Sequence, residues 1–336
     1  MLQLQKYLLV LICLVPWSIS SAASTLLPHD DSYTVAERFE RYRKTHPEIV
    51  WPTMVFKQNQ QFMNDISYHK IGERELHLDV FLPSVSTPKQ SLSVNIVTLR
   101  PAILLVHGGG WRSGNKSHFY PMANKLAQLG YVVVLPEYRL SAEAQYPAGL
   151  IDINHAIVWL KQHAAELHID INRLAIGGGS SGGQMASLLA TTAHSDLFKQ
   201  GISDKDTSVQ AIVNLDGVLD FTSSLGLAHE NKKGEQSAAA LWLGGTFEQI
   251  PERWREASAA NYINAKTPAM LVISSGQSRF TAGKEDVFTQ LQQLGIPHEY
   301  FEFKQAFHTF WLFDPFLTQT VDRIEHFLRQ HMPPDN

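Results

Sequence analysis

The sequence has a single cysteine, Cys13, in 336 residues. It falls within an apolar run at 7–15, which follows Lys6 and precedes the small residues at 21–23. This order is typical of a secretory signal peptide, and the run is well short of the roughly 20 residues that span a bilayer. A chain cleaved near residue 23 has no thiol for disulfides or metal binding. We therefore expect residues 1–23 to be a signal peptide and the protein to be exported, periplasmic or extracellular.

Long runs of one charge are also absent. The chain has 28 basic and 32 acidic residues, a net charge of -4, and no basic stripe of the kind that binds nucleic acid. It contains no H-E-x-x-H segment or other metal-ligand spacing. We expect no nucleic-acid partner, no stable membrane insertion, no metal and no cofactor. The composition leaves the oligomeric state open.

From residue 66 onward, apolar runs alternate with segments of helical spacing. Alternation of apolar and polar residues between 66 and 82, clearest at Leu76, Leu78, Val80 and Leu82, predicts a half-buried strand, antiparallel at a sheet edge. Continuous apolar runs predict buried strands at 102–106, 131–135, 174–176, 209–215, 269–273 and 299–303. Apolar strands separated by amphipathic helices indicate an α/β fold whose mostly parallel central sheet has helices on both faces.

The pattern also predicts the domain organisation. The polar segment 24–65 is expected to form an N-terminal arm on the surface, with a short helix at 34–44. A single catalytic domain is expected at 66–332, with a short additional strand at 94–99. Segment 222–264 interrupts the rhythm after the sixth strand, and we interpret it as a lid-like insertion over the strand ends.

A glycine-rich turn, GGGSSGG at 177–183, lies between a predicted strand and a predicted helix. Two G-x-S-x-G frames fit, centred on Ser180 or Ser181. This pattern is typical of a nucleophile elbow, in which the turn is too tight for neighbouring side chains and a helix N-terminus faces the serine. A phosphate-binding loop is the alternative, but the turn follows a central strand and lacks the later acidic residue of the dinucleotide fingerprint.

A second glycine cluster, HGGGW at 107–111, follows an earlier predicted strand. A plain turn needs one glycine rather than three. Glycines let backbone N–H groups approach a carbonyl oxygen that gains negative charge during acyl transfer. We expect the N–H groups of Gly109, Gly110 and Ser181 to form an oxyanion hole.

His308 lies just beyond the last predicted strand. Nucleophile first and histidine later is the chain order of α/β-hydrolases. Among 15 histidines only His308 has this position, because His298 precedes the strand and His326 and His331 lie in the final predicted helix. His308 is therefore the candidate general base.

Over about residues 78–328 the chain resembles α/β-hydrolase carboxylesterases, in the branch of hormone-sensitive-lipase-like esterases and bacterial polysaccharide acetyl or feruloyl esterases. The matching segments are 107–111, 138–140 (YRL), 146–147 (YP) with Asp152, and 178–183. Segment 275–313 is similar to exported bacterial pectin or xylan deacetylases. Relatives carry S-A-G-G where Ser180 begins S-S-G-G, which favours Ser180 as the nucleophile. The resemblance implies hydrolysis of a small-molecule or oligosaccharide ester through an acyl-enzyme, with acetylated plant cell-wall sugar as the expected substrate.

The acid of the expected triad is displaced. In the family it follows the strand before the histidine, where this chain has Gly276 and Gln277. Asp216, at the end of the preceding strand, is the first candidate, because some lipases of this fold place their acid there and a strand end is rigid. Asp286 is the second candidate and Asp220 the third. Asp216 could instead form an Asp-Gly turn, and Asp286 could supply charge at a helix N-terminus.

Three side chains near these motifs are candidates for substrate binding. Trp111 and Trp311 could line the acyl or sugar side, although buried aromatic residues more often form core. Arg279 could bind a carboxylate, as on a galacturonate sugar, or form a surface ion pair. A serine peptidase or acyltransferase on the same fold, and a catalytically impaired binding module, are the alternative functions.

Overall fold

The computed structural model describes residue 30, residues 32–84 and residues 98–334. The expected signal peptide at 1–23 and most of the strand expected at 94–99 lie outside the described residues. Eight described strands form one sheet: β1 (Gln61–Ile71), β2 (Arg74–Leu82), β3 (Arg100–Val106), β4 (Val132–Pro136), β5 (Ile169–Gly179), β6 (Ala211–Leu215), β7 (Ala269–Ser274) and β8 (His298–Glu302).

The sheet order is β1-β2-β4-β3-β5-β6-β7-β8. β1 and β2 are antiparallel to each other, and β2 is antiparallel to β4. All later pairs are parallel. This confirms the predicted α/β-hydrolase architecture. The single strand expected at 66–82 is wrong, because the chain turns back at Gly72, whose φ is +60°, and forms a hairpin.

The helices lie between and around the strands. Their ranges are α1 (Val35–Tyr42), α2 (Tyr120–Gln128), α3 (Ala148–Gln162), α4 (Ser181–Thr192), α5 (Ser224–Asn231), α6 (Ala238–Leu243), α7 (Pro251–Glu256), α8 (Lys284–Gln293) and α9 (Phe316–His331). Short 3₁₀ turns occur at Lys116–Phe119, Gly234–Gln236, Ala259–Tyr262, Ser278–Thr281 and Phe310–Leu312. No helix in the described ranges is both long and apolar enough to cross a bilayer.

Both faces of the sheet are buried. In β3, Leu104 and Val106 pack into the core shared with α3 and α4, while Ile103 and Leu105 pack into the core shared with α2 and α9. A strand covered on both faces needs apolar residues at every position, which is why these strands lack alternation. The two cores hold the carboxyl ends of the parallel strands in fixed positions.

Segment 222–264 is helical and follows β6. It contains α5, α6 and α7, and its Trp242 and Trp254 are buried in the core on the α3 and α4 side of the sheet. The hydroxyl of Ser237 accepts a hydrogen bond from the Ala240 N–H at 3.0 Å and caps α6. The insertion is therefore packed onto the domain, and its action as a lid stays a prediction.

The N-terminal arm packs against the chain segment that carries His308. Phe39 of α1 meets Phe313 edge-on with ring centroids 5.4 Å apart, and Tyr42 stacks on Phe307 at 4.3 Å. These contacts place the C-terminal half of α1 beside the carboxyl ends of the strands.

Candidate active site

Ser180 lies in the turn between β5 and α4. Its φ and ψ of +56° and -122° lie in a region that L-residues rarely adopt, and its N–H donates to the Leu215 carbonyl at 2.8 Å. The turn requires glycine on both sides. A Cβ at Gly182 would lie 2.0 Å from the Val106 oxygen, and one at Gly178 would lie 2.5 Å from the backbone of Gly182. The tight turn projects the Ser180 side chain from the sheet edge.

The geometry separates the two serines of the motif. Ser180 is partly exposed, and its Oγ lies 2.8 Å from Nε2 of His308. Ser181 is 3 % exposed and begins α4. Of the two, Ser180 is the one placed at the histidine.

A continuous hydrogen-bonded line runs from Ser180 through His308 to Asp216. Nδ1 of His308 lies 3.0 Å from Oδ2 of Asp216. The other oxygen of this fully buried carboxylate accepts a hydrogen bond from the Ser275 N–H at 3.0 Å. An acid bonded to Nδ1 leaves Nε2 as the acceptor for the serine hydroxyl proton.

The other two acid candidates have different surroundings. Asp286 is exposed in the first turn of α8. Asp220 accepts hydrogen bonds from the Thr222 N–H and hydroxyl, both at 2.7 Å. The structure therefore brings the first-choice acid, Asp216, to the histidine, while Asp286 serves as an acidic residue at a helix N-terminus.

The His308 ring is enclosed by aromatic side chains. Phe280 stacks on it with centroids 3.3 Å apart, and Trp311 meets it edge-on at 5.6 Å. Burial lowers the pKa of His308 below its usual value, the Asp216 carboxylate opposes this shift, and Arg279 adds to it. A lowered pKa keeps the imidazole neutral and able to accept a proton at neutral pH.

The loop after β3 approaches the serine turn closely. A Cβ at Gly108 would lie 2.5 Å from the Gly179 oxygen. Gly109 has a φ of +135°, and a Cβ there would lie 2.1 Å from the Ser113 oxygen. The Gly109 carbonyl accepts hydrogen bonds from the Ser113 N–H at 3.1 Å and hydroxyl at 2.8 Å, which fix the loop. Side chains at these positions would push the loop away from Ser180.

The expected oxyanion donors are available. Within the described ranges, the N–H groups of Gly109, Gly110 and Ser181 donate to no protein acceptor. Ser181 is the first residue of α4, which lacks a side-chain cap, so the positive end of the helix faces the Ser180 turn. Free amides beside a nucleophile can stabilise a developing negative charge.

Residues 138–140 and Asp152 carried part of the resemblance. Tyr138 contacts the loop after β3, and Asp152 holds the neighbouring Arg139. The Tyr138 hydroxyl donates to the His107 carbonyl at 3.0 Å, and Arg139 forms an ion pair with the buried Asp152 at 2.8 Å. Burial lowers the pKa of His107 to about 3, so its ring is neutral and Nδ1 can donate to the Gly108 carbonyl at 2.9 Å. His107 is thereby a structural residue of the loop.

Two cavities formed by described residues open at Ser180. The larger, of about 530 Å³, is lined by His308 and by residues of α1, including Tyr42. The smaller, of about 210 Å³, has an apolar wall that includes Trp111 and Phe221, and it shares Lys233 and Arg279 with the larger cavity. A substrate bound at Ser180 therefore meets two compartments of different size and chemistry.

The three expected substrate-binding residues have different positions. Trp111 lines the smaller cavity, where its Nε1 donates to Gln184 at 3.0 Å. Arg279 lines both cavities. Trp311 is 2 % exposed and lies against Gly179, where an added Cβ would be 2.4 Å from the indole ring. Among the described residues that line the two cavities Trp311 is absent, so its contact with a substrate stays a prediction.

Sequence reasoning missed the part of the cavity wall that the arm supplies. Arg38, Arg41 and Tyr42 of α1 line the larger cavity, together with Lys233 from the insertion. The spacing of the three α1 residues places them on one helix face, but only tertiary contact shows which surface that face meets. The described residues contain no group of three or more His, Cys, Asp or Glu side chains placed to hold a metal ion.

Comparisons with known proteins place the chain in a family. The BD-FAE family model matches residues 78–281, which is more than half of the chain. The probable carboxylic ester hydrolase LipM of Mycobacterium tuberculosis is 30% identical over 230 residues, covering 68% of this chain and 49% of LipM. Esterase LipQ of the same organism is 27% identical, covering 66% of this chain and 52% of LipQ. The chain thus spans about half the length of these curated relatives.

Solved structures share the fold. A truncated carbohydrate esterase from gut microbiota superposes with a TM-score of 0.66 at 20% identity, covering 85% of this chain and 100% of that one. The butyrate-bound esterase Est2 of Thermogutta terrifontis gives a TM-score of 0.63 at 21% identity, covering 83% and 97%. These structures and the sheet order show the α/β-hydrolase fold, and the family match shows that the chain belongs to the BD-FAE family.

Proposed function

We propose that this protein is a serine carboxylic-ester hydrolase that works through an acyl-enzyme and removes acetyl groups from sugars. The observation that carries the proposal is the hydrogen-bonded line from Ser180 through His308 to Asp216. The esterase relatives and the match to the BD-FAE family support the same reaction class.

The first half of the reaction forms the acyl-enzyme. Ser180 Oγ attacks the ester carbonyl carbon while its proton passes to Nε2 of His308. Asp216 holds the ring in the tautomer that accepts this proton and stabilises the imidazolium. His308 then gives the proton to the alcohol oxygen, and the C–O ester bond breaks. In the second half, His308 takes a proton from water while the water oxygen attacks the acyl carbon, and it then returns this proton to Ser180 Oγ as the C–Oγ bond breaks and the acid leaves.

The negative charge on the carbonyl oxygen is stabilised by the backbone. The N–H groups of Gly109, Gly110 and Ser181 are the donors we assign to it. The hydrogen bonds from the Ser113 N–H and hydroxyl to the Gly109 carbonyl hold the loop in place before the reaction, so little reorganisation is needed.

The smaller cavity supports a short acyl group. Its volume of about 210 Å³ is below the 300–1,000 Å³ usual for ligand pockets, and Trp111 is fixed by Gln184 and by stacking on Trp242 at 4.6 Å. A solved neighbour that is a carbohydrate esterase favours sugar as the alcohol. Action on exported or cell-wall carbohydrate would also suit the signal peptide that the sequence predicts at 1–23.

The first experiment measures hydrolysis of p-nitrophenyl acetate, butyrate and octanoate. We expect the acetate and butyrate esters to be preferred, and Ser180→Ala to lower kcat by about 10⁴-fold or more. Ser181→Ala is the matched control. Equal turnover by Ser180→Ala and the parent protein would remove the esterase proposal and favour a binding module. Acetate release from a panel of acetylated polysaccharides then tests the sugar.

A further inference from the structure

The larger cavity is strongly basic. Among the described residues, its lining includes no aspartate or glutamate but has five cationic side chains: Arg38, Arg41, Arg112, Lys233 and Arg279. The chain as a whole has a net charge of -4. The positive charge is therefore local to the mouth of the active site, where it can attract an anion.

Two of the five cations already have carboxylate partners. Arg112 pairs with Asp30 at 2.6 Å, and Arg38 pairs with Glu37 at 3.3 Å. The remaining three have no carboxylate within ion-pair distance in the ranges that the structure describes: Arg41, Lys233 and Arg279. These three come from α1, from the insertion and from the loop after β7, so three separate elements bring unpaired positive charge to one cavity.

Arg279 is held in place without losing its charge. One of its terminal nitrogens donates to Nε2 of His229 at 2.7 Å, and its guanidinium lies 3.9 Å from the centre of the Phe280 ring. Burial, and then the charge of Arg279, lower the pKa of His229, so this ring is a neutral acceptor. Neither contact supplies a negative charge. The carboxylates of Glu230 and Asp216 act on Arg279 from beyond ion-pair distance, so its N–H donors can still pair with an anionic ligand.

The position of His308 decides which part of an ester this cavity receives. His308 lines the larger cavity and is absent from the lining of the smaller one. In the reaction proposed above, the alcohol oxygen must take its proton from His308. The alcohol portion therefore occupies the larger, basic cavity, and the acyl group occupies the smaller one beside Trp111 and Phe221.

We propose that the alcohol portion of the substrate is negatively charged, and that Arg41, Lys233 and Arg279 bind its anionic group. This inference rests on the proposed function and adds the substrate class to it. A carboxylate on the sugar or a sulfate ester would present the same oxygens, and guanidinium groups pair with both. The N-terminal arm takes part directly in this binding, because it supplies Arg41. Arg41 lies outside residues 78–281, which the family model matches.

The test compares two acetate esters that differ in charge on the alcohol side. The probes are 4-acetoxybenzoate, which is anionic, and its neutral methyl ester, methyl 4-acetoxybenzoate. The measured quantity is the ratio of kcat/KM for the anionic ester to kcat/KM for the neutral one. We expect the double variant Arg41→Gln, Lys233→Gln to lower this ratio by about three- to tenfold, mostly through KM.

The chain offers a matched control that removes the same charge nearby. Arg43 and Lys232 are exposed neighbours of the tested residues and do not line either cavity. The double variant Arg43→Gln, Lys232→Gln should keep the parent ratio. A second measurement uses the parent protein alone. Its ratio of kcat/KM for the anionic ester to kcat/KM for the neutral one should fall as KCl is raised from 20 to 500 mM, because the salt screens the exposed cations.

The outcomes separate this inference from the proposed function. If the parent hydrolyses the neutral ester through Ser180 but the ratio is the same in both double variants and at both salt concentrations, the charged-alcohol proposal is overturned and the esterase proposal stands. If Ser180→Ala hydrolyses the neutral ester as fast as the parent, the esterase proposal itself fails.

A third probe, 4-acetoxybenzenesulfonate, identifies the anion. A ratio that falls equally for the sulfonate supports recognition of charge, and a fall confined to the benzoate supports pairing with a carboxylate.

Discussion

At the scale of single residues, the acid is the position that the sequence left open. Asp216 adopts a φ of +49° at the end of β6, and its N–H donates to the Ile273 carbonyl at 2.9 Å. The chain direction there aims the carboxylate at His308. The sequence placed Asp216 first among three candidates, but the distance to the histidine depends on the path of a loop more than 90 residues later.

Asp216→Asn is predicted to lower kcat on p-nitrophenyl acetate by about 10⁴-fold, because an amide donor at Nδ1 favours the tautomer that cannot accept the serine proton. Steady-state kinetics measures the change. Asp286→Asn, which alters an exposed carboxylate of α8, is the matched control and should stay near the parent rate. The assignment of Asp216 is wrong if Asp216→Asn stays near the parent kcat and Asp286→Asn shows the large loss instead.

The pH profile tests the surroundings of His308. The neutral ring is the active form, and burial together with Arg279 lowers its pKa. The acid limb of kcat/KM should therefore have its midpoint below 6.5, the usual histidine value.

Arg279→Gln removes a positive charge that disfavours the imidazolium, so the acid limb should move to higher pH. Arg279→Lys keeps the charge and should keep the limb at low pH. A profile on the neutral methyl ester measures both without the binding effect expected for an anionic alcohol. An unchanged limb in Arg279→Gln would show that the arginine does not act on the histidine.

At the scale of elements, the parallel strands and their helices were predictable and the connections were less so. Continuous apolar runs indicated β3 to β8 because burial on both faces leaves no polar positions. The hairpin of β1 and β2 was missed because the alternation at 76–82 was extended back to residue 66, across the turn at 72–73 where the alternation is interrupted. The arm was expected on the surface, but its place beside His308 arises from aromatic stacking that no local pattern encodes.

The N-cap of α6 is expected to stabilise the insertion at 222–264. Ser237 is fully buried, and its hydroxyl accepts from the Ala240 N–H. Ser237→Ala should lower the free energy of unfolding by about 1 kcal/mol, since the helix loses its cap and a buried amide loses its partner. Urea denaturation measures the loss. Thr34→Ala, which removes the exposed cap of α1, should have a smaller effect, and an equal effect would contradict the packed role of the insertion.

At the scale of the whole molecule, two cores on opposite faces of the sheet hold the active-site loops. Leu104 at the centre of β3 has no exposed surface. Leu104→Ala should lower the free energy of unfolding by about 2–5 kcal/mol, because it removes apolar contacts and leaves a cavity. Leu294→Ala, at a site that is 44% exposed, should change stability by less than about 0.5 kcal/mol. Thermal unfolding of both variants makes the comparison.

The distribution of charge also belongs to this scale. Composition showed a mildly acidic chain without basic runs, and this excluded a nucleic-acid stripe. It could not show that Arg41, Lys233 and Arg279, which are far apart in sequence, meet in one cavity. Such clusters form only when the fold is complete, which is why the sequence suggested Arg279 alone.

The most direct test of the central claim is covalent labelling of the nucleophile. A fluorophosphonate reagent should modify the protein once, and peptide mass spectrometry should place the adduct on Ser180. The label should be absent from Ser180→Ala and present on Ser181→Ala. An adduct on Ser181, or no adduct on protein that hydrolyses p-nitrophenyl acetate, would contradict the account.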